Sequence, residues 1–532
     1  MEIKILSSLA KIFPDEICGD YEIPSISCLK NERTSFQLAV KSDSDVSLNI
    51  SSDCEYLDIY KIRYVPAKFT VGRDRDDYFI RNAVSGEYPD VLIPLDGETA
   101  LKKDEWTPIW CEFIPDGKLS SGEYEITVTV GNETVKVKAE IIDFSYSEQS
   151  LICTHWFHTD CLASYYKVKI FSDEYWRIVE NFMRTAVQHG INFILTPLFT
   201  PPLDTAFGGE RPTVQLIDVK KDGHKYTFGF EKLKKWIELA EKCGIKYFEM
   251  SHFYTQWGAK HAPKIMAETK RGYKRIFGWG TNAHGRRYSD FLRQLAPELI
   301  KFIDENGLRN RCMFHTSDEP QKRHYKSYKK SAGLIKELFG DFRRTDALSE
   351  FSFYENGLIE YPITNIEHIE DFDGKVPELW TYYCCNPYKN NLPNRFNAMP
   401  SLRNRILGFI MYAYNVKGFL HWGYNFYYTR YSRRKVDPFT ETDAGGEFPS
   451  GDSYVVYPAP DGKAYASLRL KVFYDAIQDF EALRLLEQKI GREKTLEILN
   501  KDLEKPLSAT EYPHSEEWLI EKRREINKLL AK

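Results

Sequence analysis

Two adjacent carboxylates, Asp318 and Glu319, are the residues of this sequence whose types and spacing most directly indicate a chemistry. They end a predicted apolar strand over 312–318, and Pro320 follows at a position that the first turn of a helix tolerates. Paired carboxylates perform glycoside hydrolysis, in which one protonates the leaving oxygen and the other stabilises positive charge or acts as nucleophile or base. The same residues also suit a plain helix N-terminus, where acids complement the helix dipole.

The adjacency of the two acids favours one version of this chemistry. Consecutive strand residues point to opposite faces, so both reach one substrate only if the strand bends at its end. Such neighbours suit substrate-assisted hydrolysis, in which the sugar's 2-acetamido oxygen attacks the anomeric carbon. Glu319 would be the general acid/base, and Asp318 would orient and stabilise the acetamido N–H. The alternative is a conventional pair, with a distant partner for Glu319 on a later loop: Asp437, Glu441, Asp443 or Glu447.

The elements that must position these acids read as an α/β barrel. From about residue 149, short apolar strands alternate with amphipathic helices, which predicts a parallel sheet. The predicted strands are 152–158, 192–196, 247–252, 312–318, 347–351, 379–383, 418–424 and 454–457. Eight strands indicate a TIM-like (β/α)8 barrel with catalytic groups at the C-terminal strand ends. A doubly wound sheet is the alternative, but no Gly-rich phosphate loop follows the first strand.

The first part of the chain has a different pattern. Residues 36–40, 46–50, 124–130 and 134–141 alternate between apolar and polar, and Gly131-Asn132 separates the last two runs as a hairpin turn would. This predicts an N-terminal β-sandwich. The expected division is therefore a β-sandwich over 1–148, a barrel over 149–490 and C-terminal helices over 491–532 that pack on the barrel.

Composition excludes several classes of partner. The 532 residues carry a net charge of −4, which argues against nucleic acid or an anionic membrane. No apolar run is long enough to span a bilayer. The ten cysteines show neither metal-site nor disulfide spacing, and the N-terminus lacks a signal-peptide pattern, so we expect a reducing, cytoplasmic location. A trimmed leader would leave the same N-terminus.

Several motifs together resemble one family. The run 315–320, His-Thr-Ser-Asp-Glu-Pro, resembles the catalytic strand of glycoside hydrolase family 123, the β-N-acetylgalactosaminidases, and the wider group called domain of unknown function 4091. Segment 418–426 is similar to that group's seventh-strand motif. Segments 451–458, 467–471 and 475–481 resemble its closing strand and helix, and 31–37 and 88–94 its N-terminal β-sandwich.

The resemblance implies a β-sandwich followed by a (β/α)8 barrel. It also implies a retaining, substrate-assisted mechanism, with Asp318 stabilising the acetamido group and Glu319 as acid/base.

Further side chains are candidates for substrate binding. Tyr382 or Tyr383 would hydrogen-bond the acetamido carbonyl, and Trp422 would form a sugar platform. The complete predicted binding set is His158, His252, Trp257, His315, Tyr382, Trp422, Tyr424 and Asn425. We predict no metal, because His155 and His158 are three strand residues apart and face opposite ways. Asp204 and Arg211, in a Pro- and Gly-shaped loop, are expected to pair with each other.

The sequence thus predicts a glycoside hydrolase that removes a terminal β-linked N-acetylhexosamine, N-acetylgalactosamine in particular, from an oligosaccharide or glycoside, without a cofactor. Two alternatives stay open: a non-catalytic carbohydrate-binding protein, and a glycosidase for sugars without a 2-acetamido group.

Overall fold

A computed structural model describes residues 1–23, 25–146 and 148–532 of the chain. Its N-terminal region is built from strands: β1 (Glu2–Ser7), β2 (Lys11–Ile12), β3 (Ile17–Cys18), β4 (Ser25–Leu29), β5 (Thr34–Lys41), β6 (Val46–Ser52), β7 (Leu57–Ala67), β8 (Gly86–Pro94), β9 (Glu98–Leu101), β10 (Trp106–Phe113), β11 (Gly122–Val130) and β12 (Glu133–Ile142). Ten of them form two five-stranded sheets, in the orders β1-β5-β10-β7-β8 and β4-β12-β11-β6-β9, and β2 and β3 form a separate two-stranded sheet.

The alternating sequence pattern places one face of each sheet in a shared core. On β5, Phe36 and Leu38 are buried, and Val128 and Val130 of β11 come from the other sheet to the same hydrophobic cluster. β11 and β12 form the predicted hairpin, with Val130 opposite Glu133. The sequence pattern is therefore confirmed for this hairpin.

The rest of the chain contains fourteen strands among the described residues: β13 (Ile152–His155), β14 (Phe193–Thr196), β15 (Asp218–Asp222), β16 (Lys225–Gly229), β17 (Tyr247–Met250), β18 (Ile265–Thr269), β19 (Gly272–Phe277), β20 (Cys312–His315), β21 (Arg343–Leu348), β22 (Tyr361–Asn365), β23 (Trp380–Tyr382), β24 (Gly418–His421), β25 (Val456–Pro458) and β26 (Ala464–Ala466). Eight of these close a parallel barrel in the order β13-β14-β17-β20-β21-β22-β23-β24. The predicted TIM-like barrel is confirmed.

The identity of one barrel strand differs from the prediction. Residues 454–457 were expected to close the barrel, but β25 pairs antiparallel with β26 outside it. The missing strand is β22, whose run of Tyr-Pro-Ile-Thr-Asn is short and contains a proline, a combination that weakens a strand pattern. β24, expected to be the seventh strand, is the eighth and closes the barrel against β13.

Two strand-end loops contain an additional sheet that the sequence pattern did not predict. β15 and β16 follow barrel strand β14, and β18 and β19 follow β17, and they form one sheet in the order β16-β15-β18-β19. Parallel pairing of β15 with β18 joins the two loops. The carboxyl edge of the barrel is therefore extended on the side of its second and third strands.

The helices are α1 (Thr159–Tyr166), α2 (Asp173–Val187), α3 (Glu231–Cys243), α4 (Arg286–Glu305), α5 (Tyr325–Phe339), α6 (Ser352–Glu355), α7 (Ile369–Phe372), α8 (Ser401–Arg405), α9 (Leu407–Ala413), α10 (Leu468–Ile490), α11 (Arg492–Asn500) and α12 (Glu516–Ala531). α12 contacts α10 on one side and β4 and β12 on the other. The C-terminal helix thus contacts both a barrel helix and the N-terminal sheets. The proposed domain boundaries stay predictions.

None of the helices in the described part of the chain is long and apolar enough to cross a membrane.

Candidate active site

The segment after β20 carries the two acids to the carboxyl edge of the barrel. The strand ends at His315, and the carboxylate of Asp346 accepts hydrogen bonds from the backbone N–H groups of Thr316 and Ser317, at 3.0 and 3.2 Å. The N–H of Glu319 then donates to the carbonyl of Ala347 at 3.0 Å. These contacts bend the chain out of the strand direction immediately before the acids.

The bend places both carboxyl side chains in one hollow. Glu319 has a φ of 42°, in the left-handed region that a non-glycine residue rarely adopts. This conformation breaks the alternation of a strand, in which neighbouring side chains would point apart. Both acids line a cavity of about 500 Å³. Other residues of its wall are Trp156, His158, Leu203, Asp204, Gln256, Trp257, Gln321, Arg323, Tyr382, Cys384, Cys385, Trp422, Phe426, Arg430, Tyr431 and Phe448.

Each acid has its own hydrogen-bond donors. The side-chain amide of Gln256 donates to Asp318 Oδ2 at 2.7 Å, and the Tyr382 hydroxyl donates to Glu319 Oε1 at 2.8 Å. The Trp257 side chain favours the ionised form of Glu319, and the Trp257 backbone N–H donates to the Asp318 carbonyl at 3.1 Å. Gln256 Oε1 accepts the N–H of Asp204, which fixes the amide orientation. The two carboxyls are therefore oriented before any ligand binds.

Burial sets the proton affinity of the pair. It raises the pKa of Asp318 well above its usual range, and the negative charge of Glu319 adds to the rise. Burial also raises the pKa of Glu319, although the bonds from Tyr382 and Trp257 oppose that rise. Two adjacent acids in a poorly solvated site resist double ionisation, so the pair keeps a proton to higher pH than isolated carboxyls do.

A buried ion cluster lies directly behind the acids. His315 Nε2 contacts Glu249 Oε1 at 2.5 Å, and His315 Nδ1 contacts Asp346 Oδ1 at 3.1 Å. Burial alone would lower the pKa of His315, but the two carboxylates raise it to about 10. His315 is therefore an imidazolium at neutral pH, with both N–H groups donating. Glu249 also accepts from Thr154 and Trp156, at 2.9 and 2.8 Å.

The ion cluster shares residues with the group that comes nearest to a metal-site geometry. His252, His315 and Asp346 place ligand atoms within 4.8 Å of one another. Both nitrogens of His315 are engaged by carboxylates, and its ring stacks on that of His252 with centroids 4.4 Å apart. The residues are thus arranged as a hydrogen-bonded ion cluster, in which both ring nitrogens of His315 carry protons and offer no lone pair to a metal ion.

Six of the ten predicted site residues line the cavity: His158, Trp257, Asp318, Glu319, Tyr382 and Trp422. Trp422 is held by its indole N–H, which donates to Asp452 Oδ2 at 3.1 Å, and it packs edge-on against Phe426 and Phe448. Its exposed ring surface faces the acids' cavity, where a sugar platform would lie.

His158 presents a neutral ring to this wall. Arg211 can only donate to His158 Nδ1, at 3.1 Å, so the proton lies on Nε2, which donates to the Trp422 carbonyl at 2.9 Å. Burial, together with the Arg211 charge, lowers the pKa of His158 to about 3. Arg211 itself pairs with Asp160 at 2.6 Å, and not with Asp204 as the sequence suggested, because Asp204 accepts from the N–H of Tyr431.

The other four predicted binding residues are not among the described residues that line the cavity. His252 and His315 are packed in the barrel interior. Tyr424 points outward after the strand end, where its hydroxyl donates to the Phe182 carbonyl at 2.9 Å. Asn425 holds the backbone of His158 through both atoms of its amide, at 2.8 and 3.1 Å.

His155 and His158, whose spacing was considered for a metal site, and Tyr383, the alternative to Tyr382, make structural contacts. His155 faces Arg395 at 3.3 Å, whereas His158 faces Arg211, so the two histidines point to different neighbours. Tyr383 lies opposite Tyr382 across the strand and contacts Asn404 at 3.4 Å. Within the described ranges, the four acids proposed as distant partners of Glu319 are not on the cavity wall; Glu441 pairs with Arg434 and Glu447 with Arg430.

Sequence reasoning missed three polar residues near the acids. Glu249 carries a visible signal, since it is a lone acid inside the apolar run Tyr-Phe-Glu-Met. Asp346 was missed because the predicted strand started at residue 347, whereas β21 starts at Arg343. Gln256 stands beside the predicted Trp257. Asp204, which was expected to pair with Arg211, lines the cavity, and burial raises its pKa to about 6.

A comparison with known proteins finds one family model and several solved structures that are similar to this chain. The family model described as "Glycoside hydrolase 123, catalytic domain" matches residues 156–486. Among solved structures, the chain is similar to a family 123 glycoside hydrolase from Clostridium perfringens, studied for glycolipid glycan hydrolysis. That match has 16% sequence identity and a TM-score of 0.74, and it covers 99% of this chain and 98% of that chain. At this identity it shows a common fold.

Other similarities are remote. A GH10 xylanase with a bacterial Ig-like domain from termite gut has 11% identity, coverage of 69% and 87%, and a TM-score of 0.32. A putative β-galactosidase from Bacteroides fragilis has 9% identity, coverage of 86% and 59%, and a TM-score of 0.32. The sequence has no significant match among curated proteins.

Proposed function

Because the chain belongs to glycoside hydrolase family 123, we propose that it removes a terminal β-linked N-acetylhexosamine, N-acetylgalactosamine in particular, by retaining, substrate-assisted hydrolysis. Membership of the family makes the protein a glycoside hydrolase with a glycan substrate. The observation that carries the finer proposal is the adjacency of Asp318 and Glu319 at one cavity, each with a separate hydrogen-bond donor.

In the proposed mechanism, the contacts that the substrate makes determine which of the two carboxyls carries the proton. The acetamido N–H donates to Asp318, which favours the ionised form of that carboxyl. The glycosidic oxygen accepts from Glu319, which favours the protonated form. As the glycosidic bond breaks, the acetamido oxygen attacks the anomeric carbon and an oxazolinium-like intermediate forms. Asp318 stabilises its positive charge, and deprotonated Glu319 then activates the water that opens it, so configuration is retained.

The residues around the acids suit these roles. Gln256 keeps Asp318 pointed at the cavity without adding a positive charge that would compete with the oxazolinium. The Tyr382 hydroxyl donates to Glu319, and burial together with the charges of both acids raises its pKa, so it stays protonated and can donate to the acetamido oxygen of a bound sugar. Trp422 would support the sugar ring as an aromatic platform.

Asp204 provides a second candidate mechanism, for a sugar without an acetamido group. Its carboxyl lines the same cavity and could serve as the separate nucleophile or base of a conventional pair with Glu319. The two mechanisms depend on different groups. The first requires Asp318 and an acetamido group on the sugar, whereas the second requires Asp204 and depends on neither Asp318 nor an acetamido group.

A panel of aryl β-glycosides tests the proposal: N-acetylgalactosaminide, N-acetylglucosaminide, galactoside and glucoside, with the wild type, Asp318→Asn and Asp204→Asn. We expect turnover of the acetamido sugars only, and a fall of about 10²-fold or more in kcat for Asp318→Asn, because a charge partner of the transition state is lost. Asp204→Asn should retain most activity. Unchanged activity of Asp318→Asn, or turnover of galactoside or glucoside alone, would reject the acetamido mechanism.

A further inference from the structure

An exposed aromatic cluster lies beside the catalytic cavity. The Phe207 side chain is 74% exposed, which makes it the most exposed of the large hydrophobic side chains in the described part of the chain. The ring of His261 lies 5.2 Å from it and that of Trp279 lies 5.5 Å from it, between ring centroids. The three rings come from the loops after the second and third barrel strands, and we call them the rim cluster.

The exposure of Phe207 is built into the loop. The N–H of Gly209 donates to the carbonyl of Ala206 at 2.8 Å, and Gly208 has a φ of 79°. This is the pattern of a type II turn, with glycine at its third position and Phe207 at its second. The Trp279 indole N–H donates to the Gly209 carbonyl at 3.1 Å, which ties the second ring to the same turn.

Both ends of the Phe207 loop are fixed. At one end, the Ala206 N–H donates to the Tyr431 carbonyl, and the Tyr431 N–H donates to Asp204, each at 2.9 Å. At the other end, Arg211 is buried in its ion pair with Asp160. A loop anchored in this way loses little conformational entropy when a ligand binds to its tip, which favours binding.

The cluster shares a loop with the catalytic cavity. Leu203 and Asp204 of that loop line the cavity, and Phe207 is three residues further along, so its Cα lies within about 11 Å of the Cα of Asp204. Because the enzyme is proposed to cleave a terminal sugar, the remainder of the glycan must leave the cavity across its rim. A glycan that leaves on the side of this loop would meet the rim cluster.

The chemistry of the three rings identifies the ligand class. Burial, and the charge of Lys260, lower the pKa of His261, so the imidazole is neutral near pH 7. Two aromatic faces and a neutral imidazole offer apolar ring surface, which suits the C–H faces of neutral hexose rings. We infer that the rim cluster is a second sugar-binding site, which holds a neutral sugar of the leaving oligosaccharide beyond the cleaved bond. The inference rests on the proposed function.

The first test compares two substrates, aryl β-N-acetylgalactosaminide and a neutral tetrasaccharide that ends in β-linked N-acetylgalactosamine. Phe207→Ala should lower kcat/KM for the tetrasaccharide by roughly 3- to 10-fold, the range expected for one lost aromatic contact, and leave the aryl glycoside unchanged. Phe207→Trp should restore the tetrasaccharide value. Tyr273→Ala, which removes another exposed aromatic ring, 55% exposed, is the matched control.

Equal kcat/KM of Phe207→Ala and the wild type on the tetrasaccharide would overturn the inference, as would an equal loss on both substrates. Failure of the wild type to hydrolyse any acetamido substrate would count against the proposed function instead. In that case calorimetric titration of the tetrasaccharide still decides: weaker binding to Phe207→Ala supports the rim cluster, whereas equal binding, or binding to neither protein, rejects it.

Discussion

Buried carboxylates occur in two regions of this molecule, and the two regions treat their charges in opposite ways. Where the N-terminal sheets meet the barrel helices, Asp90 bonds Arg469 at 2.7 Å and Glu112 bonds Lys471 at 2.6 Å. At the mouth of the barrel, Asp318 faces Glu319. In the described part of the chain, no Lys, Arg or His forms an ion pair with either acid, which receive hydrogen bonds from uncharged donors.

The difference separates two uses of a buried acid. At the contact with the helices the acids serve as partners of buried cations: burial alone would lower the pKa of Arg469, but Asp90 raises it instead. These ion pairs hold the two regions together and serve the structure. The acids of the barrel mouth have raised pKa values because burial disfavours their ionised forms. They can hold or release a proton, as an acid/base catalyst must.

Glu319→Gln should have the largest effect, because it should lower catalytic activity and raise stability at the same time. The amide cannot donate a proton to the leaving oxygen, so kcat should fall by about 10²- to 10⁴-fold. Stability should change in the opposite direction. The raised pKa means that the folded state disfavours ionised Glu319, a cost that is absent below the unfolded pKa of about 4.3 and present above it. Glu319→Gln should therefore unfold at higher urea concentration than the wild type at pH 7.

The same comparison at pH 4 is the control for this prediction, because the wild-type carboxyl is then largely protonated in both states and the gain should disappear. A variant that is both inactive and less stable at pH 7 would show that Glu319 is a structural acid, and the contrast between the two regions would fail.

Lys471→Met should lower stability and leave kcat unchanged, which is the opposite of the result expected for Glu319→Gln. It leaves Glu112 buried and without its closest cation, which typically costs about 3–5 kcal/mol of unfolding free energy. The fraction that folds should keep the wild-type kcat, because the pair lies in the contact between β10 and α10. Urea unfolding followed by circular dichroism measures the first quantity, and active-site-normalised kinetics the second.

Two further variants make this second test specific. The double variant Lys471→Met/Glu112→Leu removes both charges and should recover most of the lost stability. Lys136→Met breaks the exposed pair with Glu125 and should have no measurable effect, because solvent screens that pair. Equal destabilisation by Lys471→Met and Lys136→Met would contradict the assignment of the interface charges.

The contrast also explains which parts of the site the sequence could reveal. Asp318 and Glu319 are neighbours in the chain, so their pairing is visible without a fold, and the strand before them fixes their place at a barrel edge. Asp90 and Arg469 are 379 residues apart, and only the fold brings them together. A paired buried acid looks like any other acid in the sequence.

Side-chain direction after a strand end was harder to predict than the strand itself. β24 was recognised, but it ends at His421, and the chain then turns, so Trp422 enters the cavity while Tyr424 leaves it. Alternation predicts direction only inside a strand. For the same reason the positive φ of Glu319, which brings both acids together, could not be read from the sequence.

Tyr382→Phe sharpens the comparison by changing one donor of the functional pair. The hydroxyl stabilises ionised Glu319, so its removal should raise the pKa of Glu319 further. The active form carries the proton on Glu319, and the basic limb of the kcat/KM profile should therefore move to higher pH. Loss of one hydrogen bond to a charged group should lower kcat by roughly tenfold. A lower kcat with an unmoved basic limb would mean that Tyr382 acts on the substrate alone.

Asp452 offers the smallest expected effect, because it shares a feature with each kind of buried acid. Burial disfavours its ionised form, as it does at the barrel mouth, but a cation, Arg395, favours that form, as cations do at the contact with the helices. Burial raises its pKa to about 7, although the charge of Arg395 opposes the rise. Below about pH 4 the carboxyl is protonated in both states, and between pH 4 and 7 only the unfolded chain ionises, so stability is lost as pH rises. Asp452→Asn cannot titrate and still accepts the Trp422 N–H.

The stability of Asp452→Asn relative to the wild type should therefore increase from pH 4 to pH 7 and then remain level. Urea unfolding at pH 4.5, 6 and 8 measures this difference, and the exposed substitution Glu133→Gln controls for the loss of one negative charge. A difference that stays constant from pH 4.5 to 8 would place Asp452 with the paired acids of the interface, since a carboxylate that Arg395 keeps ionised would not take up a proton near neutral pH.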